Sequence, residues 1–133
     1  MTIEEVMRAR LMADTDLGPL IGDRIAPDVA PGKAQFPFLL YQRLSAQEEY
    51  DIEGAPFMEI ARIQYSSLGE TWIAARRLSD AVRSVALGVR GTFDGIVIDS
   101  VYVADQRDQG YDEIAGSYRW DLDLEIYRTQ IQT

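Results

Sequence analysis

Apolar and charged residues alternate near the end of the chain, where residues 118–128 read YRWDLDLEIYR. Alternate residues of a β-strand point to the same face, so this pattern predicts a half-buried strand. Its apolar face would carry Tyr118, Trp120, Leu122, Leu124 and Ile126. Its other face would carry a row of three carboxylates, those of Asp121, Asp123 and Glu125. The row has three interpretations: a metal site, an acid–base site, or a face that meets water or a partner protein.

Three further stretches predict long strands, at residues 38–44, 57–68 and 96–105. The first of them, FLLYQRL, is apolar at most positions and should be buried on most of both faces. The segments DRIAPD and EEYDI are candidates for additional short strands.

Two amphipathic helices are predicted. Thr2 and Glu5 have the spacing of a capping box, and the apolar residues after them recur at helical spacing, so the first helix should span residues 3–14. The second helix lies in ETWIAARRLSDAVRSVALG, whose apolar residues form one stripe. Gly88 is placed to end it.

The remaining segments predict connections. Residues 14–37 hold four of the five prolines and read as an extended connection, and residues 92–95 read as a turn. Residues 45–56 and 105–113 are polar and are expected to be loops. We expect these two loops to contact partner proteins through Glu48, Glu49, Asp51, Arg107, Asp108 and Tyr111.

The order of the predicted elements indicates an α+β fold. Long strands that follow one another through tight or polar connections favour an antiparallel or mixed sheet. Two helices would pack on one face of this sheet and form a two-layer sandwich. The length of 133 residues suits a single domain, residues 1–133, and the chain has no repeats and no evident linker.

Composition removes several kinds of chemistry. The chain has no cysteine and no histidine, which excludes thiolate metal sites, a cysteine nucleophile and a Ser-His-Asp triad. Lys33 is the only lysine, and the net charge of −9 disfavours binding to nucleic acid, which needs clustered basic residues. There is no apolar run of the roughly 18 residues that a membrane span requires, and no signal peptide pattern.

The acidic row is interpreted mainly as a solvent or interface face. Its carboxylates would be about 7 Å apart at each step, whereas the short bonds of Mg²⁺ need convergent ligands. Arg119, or Arg62 or Arg43 on other strands, could pair with these acids across the sheet.

Four segments, taken in order, resemble the tail-completion or tail-terminator family of long-tailed bacteriophages, which also occurs in gene-transfer-agent particles. They are LIGDRIAP, FPFLLYQR, ARIQYSSLGETWIAARRLSDAVRSVA and SYRWDLDLEI. Ala26 stands where the family commonly has an aromatic residue. The resemblance covers nearly the whole chain, and its specificity lies in the joint order of the segments.

The resemblance implies a structural protein that forms a ring, expected to be hexameric, at the head-proximal end of the tail tube. The ring would end tube polymerisation and provide the docking surface for the head connector. Its partners would be other copies of the chain, the major tail tube protein and the head-side connector or stopper protein. DNA would pass through the lumen without specific binding. No catalytic activity, cofactor, metal or membrane partner is implied.

On this interpretation the protein is assembled in the cytoplasm of a bacterial host and resides in the virion tail. The acidic row would then lie at a subunit interface or line the lumen. Three alternatives remain open: a neck or head–tail adaptor ring, a regulatory binding module, and a divalent-metal enzyme that uses Asp121, Asp123 and Glu125.

Overall fold

The computed structural model describes residues 2–27, 35–50, 52–54 and 56–129, so Lys33 and Asp51 lie outside the described residues. Within these ranges the chain forms three helices and six strands. They are α1 (Ile3–Ala13), α2 (Leu17–Ile21), β1 (Ile25–Pro27), β2 (Phe38–Tyr50), β3 (Pro56–Gly69), α3 (Trp72–Leu87), β4 (Gly91–Phe93), β5 (Ile96–Asp112) and β6 (Ser117–Thr129).

The strands form one sheet in the order β1-β2-β3-β6-β5-β4. β1 runs parallel to β2, and all other neighbours are antiparallel. The sheet is therefore mixed, and the predicted α+β class is confirmed. None of the helices in the described ranges is long and apolar enough to cross a membrane.

Two long hairpins reach opposite ends of this sheet. In the first, Tyr50 pairs with Pro56 next to the turn, at the end of the sheet where β6 finishes with Thr129. In the second, Asp112 pairs with Ser117, beyond the end of β3 at Gly69. The turns of the β2–β3 and β5–β6 hairpins thus point in opposite directions.

The core lies between the helices and the middle of the sheet. The apolar face of β6 packs on one side of it, as the alternation predicted, and the stripe of α3 packs on the other. The first helix also forms as predicted, because Thr2 Oγ1 accepts from the Glu5 amide and Glu5 caps the Thr2 amide in return. The fully buried residues from these elements include Val6, Met7, Leu11, Ala75, Leu78, Val82, Leu122, Leu124 and Ile126.

The prediction of loops is wrong for residues 45–50 and for residues 105–112. Residues 45–50 continue β2, and residues 105–112 continue β5 as far as Asp112. The register shifts at Arg43/Ser45 in β2, and at Val103/Asp105 and Asp108/Gly110 in β5. Each shift reverses which residues face the helices, so the simple alternation that marks a strand is lost although the pairing continues.

Two short elements were also missed. α2 forms inside the proline-rich connection, so three helices pack rather than the two expected. β4 includes Thr92 and Phe93 of the predicted turn and pairs with the beginning of β5. The candidate strand in DRIAPD is confirmed as β1, and Glu48, Glu49 and Tyr50 of EEYDI belong to β2, whereas Ile52 lies in the turn.

Replacing Leu124 by alanine should destabilise the fold by about 2–5 kcal/mol, because the side chain is completely buried between β6 and the helices. Urea unfolding followed by circular dichroism measures this loss. Leu87→Ala is the matched control and should cost much less, since Leu87 is 44% exposed. Equal losses in the two variants would contradict this description of the core.

Candidate functional site

The acidic row lies on the sheet face opposite the helices, yet two of its carboxylates are not open to solvent. Asp121 and Asp123 are each only 2% exposed. Glu125 is half-buried. Side chains from β3, β5 and β6 cover the two aspartates, and we call this set the arginine–aspartate network. Its members are Arg62, Gln64, Ser66, Asp105, Arg107, Gln109, Arg119, Asp121 and Asp123.

Asp121 accepts hydrogen bonds from three sides. Ser66 Oγ donates to Oδ1 at 2.6 Å, Gln109 Nε2 donates to Oδ2 at 2.8 Å, and Arg119 Nε donates to Oδ1 at 2.8 Å. The Arg107 guanidinium lies 3.7 Å from Oδ2 and adds a further favourable charge. The carboxylate is buried because its neighbours on both adjacent strands satisfy it.

Asp123 is held by two guanidinium groups. Arg107 Nη1 donates to Oδ2 at 2.9 Å, Arg62 Nη2 donates to Oδ2 at 3.0 Å, and Gln64 Nε2 donates to Oδ1 at 3.1 Å. Burial opposes ionisation of Asp123, but these bonds outweigh it and hold its pKa below the ordinary value. Hydrogen bonds to Asp105 and Asp123 raise the pKa of Arg107.

Arginine side chains form the outer surface of this network. Arg62 and Arg119 are each 39% exposed and Arg107 is 35% exposed, whereas both aspartates lie beneath them. The predicted pairing of Arg62 and Arg119 with the acids is therefore confirmed. Arg43 instead faces the helix layer.

On the helix side, Arg43 contacts Glu4 at 2.5 Å and Glu59 at 2.8 Å. This pairing links β2 with the beginning of α1. It explains why Arg43 is not available to the acidic row on the other face of the sheet.

The network has the chemistry of a structural ion cluster. A metal ion at Asp121 and Asp123 would meet three guanidinium groups that already occupy the carboxylate oxygens. Among the residues that the structure describes, no group of three potential ligands could hold a metal. Whether this face lines a lumen or meets another subunit stays a prediction.

The outer part of the β2–β3 hairpin carries Glu48 and Glu49, which were predicted to contact partners. Both are exposed, and Glu48 accepts a hydrogen bond from Tyr50 Oη at 2.9 Å. Ile52 in the turn is completely exposed, and Phe57 beside it is 43% exposed. This end of the sheet therefore combines acidic and apolar side chains.

The β5–β6 hairpin carries the other predicted contacts. Tyr111 is 52% exposed and packs edge-on against Tyr118, with ring centroids 5.0 Å apart. Asp108 is exposed and accepts a hydrogen bond from Trp72 Nε1 at 2.8 Å, which lowers its pKa and ties the hairpin to α3. Arg107 differs from them because its guanidinium is engaged in the arginine–aspartate network.

Sequence reasoning missed a fully exposed isoleucine in each hairpin turn. Ile52 and Ile114 are fully exposed, one in each hairpin turn, at opposite ends of the sheet. The signal was available, because each is a single large apolar residue among acids and glycines. Full exposure of an isoleucine leaves apolar area that a partner protein would cover.

Comparisons with known proteins identify relatives. The family model described as "Tail completion protein gp17" matches residues 5–128. In a solved structure titled "Virion of native gene transfer agent (GTA) particle", one chain superposes with a TM-score of 0.80 at 16% sequence identity. The match covers 96% of this chain and 95% of that chain, which shows a shared fold. A search of curated protein sequences finds no match.

Asp123→Asn should lower the free energy of unfolding at pH 7 by about 1–3 kcal/mol, because the arginines lose their charged partner. The folded pKa of Asp123 is depressed, so its contribution is complete at neutral pH, where the carboxyl is ionised in both states. That contribution is lost as the pH falls below about 4 and through the folded pKa. Urea unfolding between pH 7 and pH 2 should show a steeper loss for the wild type than for the variant.

Asp16→Asn is the matched control for this experiment. Asp16 is exposed, and its side chain makes no capping hydrogen bond at α2. This variant should follow the wild-type curve at every pH. Coincident curves for the wild type and Asp123→Asn would show that Asp123 and its partners do not stabilise the folded chain.

Proposed function

The chain belongs to the tail completion protein gp17 family and is a structural protein of the virion tail, and from this premise we propose that it forms the ring that ends the tail tube. In this proposal the ring is a hexamer at the head-proximal end of the tube, where it stops polymerisation and receives the head connector. The family match carries the proposal, since residues 5–128 include both hairpins and all six strands apart from the last residue of β6.

The opposite directions of the two hairpins support a ring with two different axial partners. If the strands run along the ring axis, the turn with Ile52 points to one side of the ring and the turn with Ile114 to the other. One turn then meets the tail tube protein and the other meets the head-side connector. Each exposes a large apolar residue, as an interface anchor requires.

The charge balance of the sheet face supports a position towards the lumen. Each of Arg62, Arg107 and Arg119 contacts at least one carboxylate, so these cations are neutralised within the chain. The chain as a whole carries a net charge of −9. DNA would meet no excess of free positive charge there, and it would slide past without specific binding.

Removing the gene should produce tails of uncontrolled length, because nothing would stop tube growth. Electron microscopy of negatively stained lysates measures the length distribution, and a plasmid copy should restore it. Tails of normal length that fail to join heads would instead favour the alternative of a neck or head–tail adaptor ring.

Substitutions at the two hairpin turns should give two different defects. We expect Glu49→Arg with Ile52→Ser to affect one axial partner and Tyr111→Ser with Ile114→Ser to affect the other. Loss of contact with the tube gives overlong tails, whereas loss of contact with the connector gives tails of normal length without heads. Circular dichroism melting should first show that both variants are folded, and each serves as the control for the other. The same defect from both variants would contradict the assignment of one hairpin to each partner.

A further inference from the structure

A cleft of about 340 Å³ lies where α1 and α3 end beside the edge strand β4. Arg10 in the last turn of α1 and Arg90, just after the end of α3, line it together with Thr15. The volume is within the range of pockets that bind ligands in proteins, roughly 300–1,000 Å³. We call this site the arginine cleft.

The floor of the arginine cleft is apolar. Val89 is 5% exposed, and Val85 and Phe93 are half-buried against the core. The Arg10 guanidinium lies over the Phe93 ring, 5.3 Å from its centroid. This cation–π contact holds the guanidinium by its face, so the N–H groups at its edge can donate to an acceptor.

The two guanidinium groups of the cleft have no carboxylate partner among the residues that the structure describes. Asp14 also lines the cleft, but its Oδ2 accepts from the amides of Asp16 at 3.1 Å and Leu17 at 2.8 Å. The three arginines of the arginine–aspartate network, by contrast, each contact a carboxylate. The cleft therefore presents two sets of N–H donors that an anion would satisfy.

Two arginines above an apolar floor select the chemistry of the occupant. A guanidinium pairs bidentately with a carboxylate or a phosphate. The helix ends beside the cleft contribute about half a negative charge each, which attracts arginines but gives them no carboxylate. A phosphate backbone has no apolar group to cover Val85, Val89 and Phe93, whereas an acidic peptide supplies both carboxylates and apolar side chains. An acidic peptide segment therefore fits the arginine cleft better than nucleic acid.

The arginine cleft lies at the same end of the sheet as the β2–β3 turn. Strand pairs run level across the sheet from Thr92 of β4 through Val97, Thr129 and Met58 to Glu49, which lies close to that turn. The connection between β1 and β2, which is outside the described residues, belongs to the opposite edge of the sheet from β4. A partner protein that covers this end of the sheet would reach both the turn and the cleft.

We propose that the arginine cleft binds a short acidic segment of the partner protein that meets the β2–β3 turn. Carboxylates of this segment pair with Arg10 and Arg90, and an adjoining apolar side chain packs on Val85, Val89 and Phe93. The inference rests on the proposed function, which supplies an axial partner at this end, and it specifies the chemistry by which that partner is recognised.

Photocrosslinking in assembled particles tests the occupant. Thr15, which is exposed in the lining of the cleft, is replaced by p-benzoylphenylalanine in a chain supplied to a strain without the gene. Purified particles are irradiated and digested, and the crosslinked peptides are sequenced by mass spectrometry. We expect one acidic segment of another tail or head–tail protein. The same photoreactive residue at Ser84, exposed on α3 outside the cleft, is the matched control and should not label that segment.

Other labelling results count against the cleft. Crosslinks to DNA, to a neutral or basic segment, or to this chain itself would overturn the proposal. Particles that contain the protein but show no crosslink from the cleft would overturn it as well.

Charge reversal tests whether the two arginines bind the carboxylates. A fluorescein-labelled peptide of the crosslinked segment is titrated with the purified chain, and anisotropy measures its affinity. Arg10→Glu with Arg90→Glu should weaken binding by about tenfold or more, because charge-assisted hydrogen bonds are lost. Arg10→Lys with Arg90→Lys should bind with intermediate affinity, since lysine keeps the charge but not the bidentate geometry.

Arg77→Glu with Arg83→Glu is the matched control, because both residues are exposed on α3 and the net charge changes equally. This variant should keep the wild-type affinity, and circular dichroism should first show that every variant is folded. Equal weakening in the two double reversals would reveal a general charge effect and overturn the specific role of the cleft.

Tail lengths separate this inference from the proposed function. Overlong tails without the gene, together with failure of the crosslinks and of the peptide titration, would overturn the cleft proposal and leave the tail-ending function in place. Tails of normal length without the gene, together with specific binding of an acidic segment, would contradict that function and leave the cleft as a docking site.

Discussion

The rest of the structure depends on two buried aspartates in the central strand whose carboxylates must find hydrogen-bond and charge partners. Asp121 and Asp123 put negative charge on the face of β6 that points away from the helices, where each is 2% exposed. Leaving such a carboxylate unpaired would cost several kcal/mol, on the order of 3–5 for a broken buried pair. Arg62 from β3, Arg107 from β5 and Arg119 from β6 itself provide the compensation. The sheet must therefore keep β3, β6 and β5 adjacent and in this register.

This requirement gives β6 two different buried faces. Its apolar residues Leu122, Leu124 and Ile126 pack under the helices, and its acids pack under guanidinium groups. The sheet is packed on both faces where β6 runs through it, while the two hairpins extend beyond this part of the sheet. An exposed isoleucine lies in each hairpin turn, Ile52 at one end of the sheet and Ile114 at the other.

The ring that we propose would need surfaces towards two axial partners and towards two neighbouring copies. In that proposal the two hairpin turns would supply the surfaces towards the axial partners, because they lie at opposite ends of the sheet. The two turns differ in their side chains, as two different axial partners would require. The same sheet can therefore serve as scaffold and as interface.

Local sequence patterns were sufficient to predict the final strand and the first helix. The strand predicted at residues 118–128 is β6, and the helix predicted at residues 3–14 is α1, with bounds within one residue. Such patterns succeed because the spacing of apolar residues reflects burial on a single face. They failed at residues 45–50 and 105–112, where register shifts and polar partners hide the strand.

The sequence by itself determined that the chain has an α+β fold, an amphipathic final strand and the order of motifs of a tail-completion protein. The tertiary structure alone decided the state of the acidic row. Gln64 and Ser66 reach Asp123 and Asp121 from positions more than fifty residues away, and Gln109 reaches Asp121 from the neighbouring strand β5. Cross-strand register sets those contacts, and register depends on the packing of the whole sheet and not on local spacing. The aspartates that suggest an open acidic face in the sequence are, for this reason, buried beneath arginines in the fold.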